Sequence, residues 1–184
     1  MLDRALLIFI REKNKMTIET ERLELIPLLP KQLKLWTENI TALEKELAAV
    51  YMAEPMKAEF LEIVRGQLKI TEKDPDNYLW HSFWLILRKN DRVIVGSADF
   101  KGTTDERGAV EIGYGLGKAF EHNGYITEAV KSMCGWALRQ SGVVAVIAET
   151  DRDGLASQRI LEQCGFYKYD ERDTIWWRLQ GTRQ

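Results

Sequence analysis

The chain has 184 residues, 45% of them hydrophobic, which is the length of one domain with enough apolar side chains to bury a full core. A formal net charge of −2 at pH 7 excludes the basic surface that binding to nucleic-acid phosphates needs, so we expect no nucleic-acid partner. The two cysteines, Cys134 and Cys164, lack a Cys-x-x-Cys spacing, which argues against a metal site or a disulfide framework and predicts a reducing, cytoplasmic setting.

Residues 1–15 are interpreted as an N-terminal extension, and residues 16–184 as one globular domain. The apolar run at residues 5–10 is too short to span a bilayer, and no small-residue cleavage site follows it. We therefore expect neither a membrane anchor nor a signal peptide.

Hydrophobic periodicity divides the domain into strands and helices. In chain order the predicted elements are a strand over residues 20–27, two or three helices over 30–73, a loop at 75–77, a β-hairpin over 83–88 and 92–100, a strand around Glu111, a helix from near Gly124, a strand over 143–149, a short helix within 154–166, and two strands over 165–170 and 174–179. Together they predict an α/β (α+β) domain of about seven strands and four or five helices.

The junction between the strand around Glu111 and the next helix predicts an anion site. An apolar strand leads through a short loop to Gly124, which opens an amphipathic helix. The first four N–H groups of a helix have no intrahelical partner, and the helix dipole places partial positive charge there. A phosphate would come closest at Gly124; a glycine needed only for turn geometry is the competing interpretation.

Four sequence blocks extend this prediction to a family. They are Thr20-Glu21-Arg22-Leu23-Glu24-Leu25, Glu111-Ile112-Gly113-Tyr114, Gly124-Tyr125-x-Thr127-Glu128-Ala129 and Ala156-Ser157-x-Arg159-x-Leu161-Glu162-x-x-Gly165-Phe166. In this order and spacing the chain resembles the GNAT N-acetyltransferases, most closely the branch that acetylates ribosomal-protein N-termini. The resemblance spans residues 17 to about 179 and implies a GNAT-like acyl-CoA N-acyltransferase fold, whose mixed sheet splays between its fourth and fifth strands.

The resemblance implies an acetyl-CoA-dependent N-acetyltransferase that moves an acetyl group to a primary amine by direct attack in a ternary complex. Acetyl-CoA would be the co-substrate, no metal would take part, and the acceptor would be a protein N-terminus or a small amine. The implied pyrophosphate contacts are the amides of His122, Asn123, Gly124, Tyr125, Ile126 and Thr127, and the implied pantetheine contacts are the backbone of Tyr114, Gly115 and Leu116.

Four positions depart from the commoner residues of the family. They are Glu121, Ile126, Gly154 and Leu161. Because Glu121 brings negative charge near a pyrophosphate and Ile126 brings bulk, a non-catalytic acyl-CoA-binding module of the same fold is the alternative function. Monomer and homodimer both fit the sequence.

The resemblance also implies the catalytic candidates. Glu149 and Glu111 occupy positions that serve as general base in different relatives, and Ser157 would donate a proton to the departing thiolate, with Tyr114 or Tyr125 as substitutes. A glutamate titrates near 4.3 unless burial raises its pKa, so a solvated or ion-paired carboxylate is the competing interpretation of each. Three tryptophans fall in the region of the acceptor wall, where they could contact a cationic amine or simply pack in the core: Trp36, Trp80 and Trp84.

Overall fold

The computed structural model of the protein describes residues 16–181, which contain nine strands and six α-helices. The elements are β1 (Ile18–Glu19), β2 (Leu23–Pro27), α1 (Pro30–Glu38), α2 (Ile40–Leu47), β3 (Val50–Tyr51), α3 (Ala58–Lys73), α4 (Tyr78–His81), β4 (Phe83–Arg88), β5 (Val93–Phe100), β6 (Ala109–Leu116), α5 (Tyr125–Ala137), β7 (Ala145–Asp151), α6 (Leu155–Gln163), β8 (Tyr167–Glu171) and β9 (Thr174–Gln180). Short 3₁₀ turns at Pro75–Asn77 and Lys118–Phe120 precede α4 and the loop before α5. The proposed extension, residues 1–15, lies outside the described residues.

The strands form one mixed sheet in the order β1-β2-β4-β5-β6-β7-β9-β8. Neighbours along this order are antiparallel except β6 and β7, and the short β3 runs parallel to the start of β5. In the described chain β6 and β7 pair only from Ala109↔Ala145 to Glu111↔Ile147. Beyond Glu111 the two strands separate, so the far half of β6 has one edge free of strand partners.

This separation confirms the predicted splay. Among the seven strands longer than two residues, β6 is the fourth and β7 is the fifth. The other two strands were not predicted, because a two-residue strand is defined by its partner and carries no periodicity of its own. The four-residue helix α4 lies between the loop predicted at 75–77 and the strand predicted from residue 83, in residues to which no element was assigned, and it raises the helix count above four or five.

Two apolar layers cover the two faces of the sheet. On one face α5 packs Ala129, Val130 and Met133 against the central strands, within the larger hydrophobic cluster. On the other face α1, α2 and α3 cover β4 and β5 through the smaller cluster, which includes Leu33 and Val64. Because β4 and β5 are buried on both faces, they read as continuous apolar runs rather than as alternating strands.

None of the helices within residues 16–181 combines the length and the apolar composition that crossing a bilayer would require.

Candidate active site

The start of α5 is open to a ligand. Gly124 precedes the helix with φ +75°, and within residues 16–181 no side chain caps the helix and the N–H groups of residues 124–127 have no acceptor. A Cβ placed on Gly124 would meet Arg22 Nη2 at 3.5 Å. These unpaired donors, together with the helix dipole, give the geometry of an anion site.

The loop before α5 is held by its own hydrogen bonds. Asn123 Nδ2 donates to the carbonyl oxygens of Phe120 (3.1 Å) and Glu121 (2.8 Å). His122 is exposed and has a left-handed backbone with φ +62°, which is uncommon for a residue other than glycine. The side chain of Ile126 is buried in the core, so its bulk points away from the N–H groups that a phosphate would approach.

A clamp formed by Thr20, Arg22 and Glu128 fixes the start of α5 to the beginning of the domain. Glu128 accepts from Thr20 Oγ1 (2.5 Å), from Arg22 N (3.0 Å) and from Arg22 Nε (2.7 Å). Burial alone would raise the pKa of Glu128, but these hydrogen bonds and the Arg22 charge lower it overall. The clamp joins two of the four sequence blocks and explains physically why they occur together.

Arg22 also brings positive charge to the anion site. Its Nη1 donates to the carbonyl oxygen of Asn123 (2.9 Å), and its guanidinium lies 4.7 Å from the centre of the Tyr125 ring. Arg88 contacts the same tyrosine, with Nη1 3.4 Å from Tyr125 Oη. Both guanidinium groups are ion-paired within the described residues, Arg22 with Glu128 and Arg88 with Asp91, and neither forms a hydrogen bond or ion pair with Glu121. Neither arginine was predicted from the sequence to have a role.

The free edge of β6 offers main-chain hydrogen bonds. Lys101 N donates to Glu111 O (3.0 Å), and Gly117 N donates to Val95 O (2.8 Å). Both main-chain groups of a strand residue point to the same side, and alternate residues point to opposite sides. The odd-numbered residues of β6 therefore pair with β5, while the even-numbered ones point to the gap left by β7.

Of the three residues predicted to bind pantetheine, Tyr114 and Leu116 have main-chain groups at this free edge. Gly115 pairs with Ser97 of β5, and a Cβ placed on Gly115 would meet no atom of the described residues within 4 Å. Protein packing therefore does not require a glycine at 115; the missing side chain leaves open space over the strand instead.

The tyrosine side chain at 114 bridges the splay. Tyr114 Oη donates to the carbonyl oxygen of Ser157 on α6 (3.2 Å), and burial raises the pKa of this phenol. The Tyr114 hydroxyl thus reaches α6 beside one of the predicted catalytic residues.

Two of the three predicted catalytic residues, Glu149 and Ser157, lie on the β7 side of the gap, whereas Glu111 lies on β6. Glu149 and Ser157 both line a cavity of about 290 Å³, which Lys101 closes from β5. Glu149 is exposed and accepts a hydrogen bond from Thr174 Oγ1 (2.6 Å), whereas Glu111 forms an ion pair with Lys101. The structure therefore brings Glu149 and Ser157 together and links Glu111 to them through a lysine.

A larger cavity of about 390 Å³ lies on the other side of β6. It is lined by Tyr51, Ala53, Glu54, Pro55, Lys57, Phe60, Phe83, Gly96, Ser97, Asp99, Tyr114, Gly115, Leu116 and Gly117. Its buried carboxylate, Asp99, is 8% exposed, and burial raises its pKa to about 6. Asp99 was not among the residues predicted from the sequence, where its signal was a single charged residue inside an apolar strand.

The three tryptophans separate between the two faces of the sheet. Trp36 packs near the larger cavity, with its ring 6.3 Å from Tyr51 and 5.8 Å from Phe60. Trp84 is fully buried on the opposite face, where it contacts Trp136 at 5.3 Å, and Trp80 contacts the same Trp136 ring at 4.9 Å. Only Trp36 lies on the face of the cavity, so the expectation of an acceptor wall does not hold for Trp80 and Trp84.

The splayed sheet and the uncapped helix define the acyl-CoA N-acyltransferase fold, and comparison with known proteins shows the family. The chain matches the Acetyltransferase (GNAT) domain over residues 22–167. It is 34% identical over 153 residues to an uncharacterized N-acetyltransferase, YjdG, of Bacillus subtilis (strain 168), covering 81% of this chain and 88% of that protein. The chain belongs to the GNAT acetyltransferase family, which favours an acetyltransferase over the non-catalytic binding module.

Solved structures share the fold at low sequence identity. Ribosomal-protein-S5-alanine acetyltransferase from Vibrio fischeri is 17% identical with a TM-score of 0.67, covering 91% of this chain and 97% of that chain. RimL, a ribosomal L7/L12 alpha-N-protein acetyltransferase in complex with coenzyme A, is 16% identical with a TM-score of 0.61, covering 89% and 97%. The branch indicated by the sequence resemblance is thus represented among the structural neighbours.

Proposed function

We propose that the protein is an acetyl-CoA-dependent N-acetyltransferase that acetylates a primary amine by direct attack in a ternary complex. The main observation that supports this proposal is that the chain leads from the free edge of β6 directly to the uncapped start of α5. Unpaired main-chain donors along one edge and at one helix start suit an extended ligand that ends in a diphosphate.

The residues at both places fit acetyl-CoA. The amides of residues 122–127 and the guanidinium of Arg22 would hold the pyrophosphate, and the edge groups of Tyr114 and Leu116 would pair with the pantetheine amides. Acetyl-CoA supplies an activated thioester whose carbonyl carbon accepts the amine. Gly115 leaves space above the strand where that carbonyl would lie, consistent with a closely approaching ligand.

The chemistry requires a neutral amine and a proton for the departing thiolate. Within the proposal Glu149 and Glu111 remain the base candidates from the sequence, and Ser157 remains the candidate donor. The shared cavity of Glu149 and Ser157 supports their assignment, whereas Glu111 is held in an ion pair with Lys101.

The acceptor is proposed to be a protein N-terminus or a small amine. The ribosomal-protein acetyltransferases among the structural neighbours favour the N-terminus, and the cavity beside β6 admits either. We also propose a cytoplasmic location, supported by two buried free thiols in the described range, Cys134 and Cys164.

Calorimetry and a transfer assay test the proposal together. We expect the full chain to bind coenzyme A, and Gly124→Val to weaken that binding because a side chain would obstruct the exposed amides. Acetyl transfer from acetyl-CoA to a panel of N-terminal peptides and small amines should then release free thiol. Coenzyme A that binds without turnover on any acceptor would refute the transferase, and absence of binding would refute the donor site as well.

A further inference from the structure

Asp99 is a buried carboxylate that no protein group neutralises. It is 8% exposed, and within residues 16–181 no side-chain hydrogen bond or ion pair involves it; because no fully enclosed side-chain oxygen lacks a partner there, the Asp99 oxygens keep some contact with the solvent of the cavity they line. The nearest charges are Lys101 and Glu111, which form an ion pair with each other. A carboxylate this deeply buried, with no ion-pair partner in the described residues and with its oxygens open to a cavity, can receive a cation from outside the chain.

The strand opposite Asp99 lacks side chains that would fill the space around the carboxylate. Asp99 pairs with Gly113 of β6, and a Cβ placed on Gly113 would lie 2.7 Å from Asp99 Oδ1. The next residue on the same face, Gly115, faces open space. Gly113 lies two residues beyond Glu111, where β6 leaves β7, so the carboxylate lies beside the apex of the splay.

The rest of this cavity is mostly apolar. Phe60 and Phe83 meet edge to face at 5.4 Å, and Tyr51 lies beside them. Two charged side chains stand in the lining besides Asp99: Glu54, which accepts from Lys118 N (2.9 Å), and Lys57. The cavity thus presents a carboxylate at the sheet and aromatic side walls, a combination that suits an ammonium group on an apolar body.

We propose that Asp99 binds the ammonium group of the acceptor and takes its proton, and that the acceptor is a primary amine carried on a short apolar or aromatic body. This inference rests on the proposed acetyl transfer, since it names the substrate class and the base of the same site.

The proton and electron balance is complete. The ammonium gives one proton to the Asp99 carboxylate and becomes a neutral amine. Its lone pair forms the C–N bond to the acetyl carbon, the C–S bond breaks, and its electron pair leaves on sulfur. The remaining excess proton of the amine passes to the thiolate, so the products are an amide, a free thiol and protonated Asp99, which returns its proton to water.

Asp99 suits this role better than the two glutamates from the sequence. Glu111 is neutralised by Lys101, and Glu149 is exposed and hydrogen-bonded to Thr174. Burial raises the pKa of Asp99 to about 6, Lys101 lowers it and Glu111 raises it. A base with a pKa near the working pH transfers protons most effectively.

Amine binding by the full chain tests the proposal without requiring turnover. We would titrate 2-phenylethylamine, a tetrapeptide with an N-terminal alanine, and spermidine into the wild type and into Asp99→Asn at pH 7.5 by calorimetry. The expected result is that Asp99→Asn weakens 2-phenylethylamine binding by about tenfold or more. Asp170→Asn, which changes a carboxylate on β8 paired with Arg172, is the matched control and should bind normally.

2-Phenylethylamine and the tetrapeptide distinguish a small amine from a protein N-terminus. Only the ligand that fits the cavity better should bind tightly and lose affinity in Asp99→Asn. Equal binding by wild type and Asp99→Asn, no binding of any probe to the wild type, or tighter binding of spermidine than of both others would overturn the proposal. Asp99-dependent binding without acetyl transfer would support amine binding at Asp99 but refute the transferase and, with it, the role of Asp99 as base. Transfer that survives Asp99→Asn would support the transferase and refute Asp99 as its base.

The pH dependence of kcat/KM distinguishes a base from a residue with a merely structural role, whose replacement would not change the pH profile. In the wild type kcat/KM should rise through about pH 6 as Asp99 loses its proton, and Asp99→Asn should lack that limb. Glu54, Lys57 and Tyr51 also line this cavity, and the charges of Lys101 and Glu111 act on the Asp99 carboxylate, so Glu111→Gln and Glu54→Gln are measured alongside. Loss of the limb in either glutamine variant, with retention in Asp99→Asn, would contradict the assignment.

Discussion

Removal of the charge at Asp99 should stabilise the protein while it impairs the proposed reaction. In Asp99→Asn the side chain keeps nearly the same shape but is neutral at every pH. Because the residue Asp99 is 8% exposed and its carboxylate forms no hydrogen bond or ion pair in the described chain, its ionised form is the unfavourable one in the folded state. The variant therefore tests whether the protein keeps a buried charge that lowers its free energy of unfolding, as proteins often do at active sites.

The size and sign of the effect follow from the pKa. Burial raises the pKa of Asp99 from 3.8 to about 6, so between these values the folded chain binds more protons than the unfolded chain, and the free energy of unfolding falls as pH rises. Above about pH 6 the full penalty is present, about 3 kcal/mol, and below 3.8 it vanishes. Since a buried amide also lacks a partner there, we expect a net gain of about 2 kcal/mol for Asp99→Asn at pH 7.5.

Urea unfolding followed by circular dichroism at pH 7.5 and at pH 4.5 measures this difference. The gain at pH 7.5 should shrink to less than half at pH 4.5, because the wild-type carboxyl is then largely protonated in the folded state. Asp170→Asn should show no comparable gain at either pH. A less stable Asp99→Asn at pH 7.5, or a gain that does not shrink on acidification, would refute the picture of an uncompensated buried charge.

Three further predictions concern the donor side of the site. Gly115→Val should leave the free energy of unfolding within about 1 kcal/mol, because the side chain enters open space, yet weaken coenzyme A binding measured by calorimetry. Arg22→Ala should weaken coenzyme A binding about tenfold, with Arg22→Lys intermediate because it keeps the charge but loses the bonds to Glu128; unchanged affinity would contradict the clamp. Ser157→Ala should lower kcat about tenfold with KM nearly unchanged if the hydroxyl donates the proton, and an unchanged kcat would remove Ser157 from the mechanism.

The sequence predicted most of the fold because its longer elements have clear periodicity. The hairpin of β4 and β5 and the amphipathic helix α5 were found close to their observed bounds. The splay was predicted only through the family resemblance, because the residues of β6 do not indicate from which neighbouring strand β6 separates. Strands β1 and β3 depend on partners distant in the chain and therefore left no local pattern.

The donor site was predicted where one segment of chain builds it, and missed where two segments meet. The loop and the first turn of α5 lie within one block, so the anion site could be predicted from local geometry. The contribution of Arg22 required knowing that β1 and β2 pack beside α5, which places Arg22 2.7 Å from Glu128, 106 residues later in the chain. The separation in sequence explains why the contribution of Arg22 could not be predicted before the fold was known.

The acceptor side shows most clearly that a site built from two separate segments of chain cannot be predicted from either segment alone. In β5 the residues around Asp99 are hydrophobic or small, and such a strand predicts burial on both faces, which leaves a lone aspartate unexplained. Only the register of β5 against β6 shows that Asp99 lies opposite Gly113, so that the carboxylate occupies space that any other residue at 113 would fill. Gly113 was quoted as part of a family block, but its physical role is to admit this carboxylate beside the splay.

Gly113→Ala should therefore displace Asp99 and reproduce the loss of amine binding while the carboxylate remains present. Normal 2-phenylethylamine binding by a folded Gly113→Ala protein would show that the position of the carboxylate is not what the acceptor recognises.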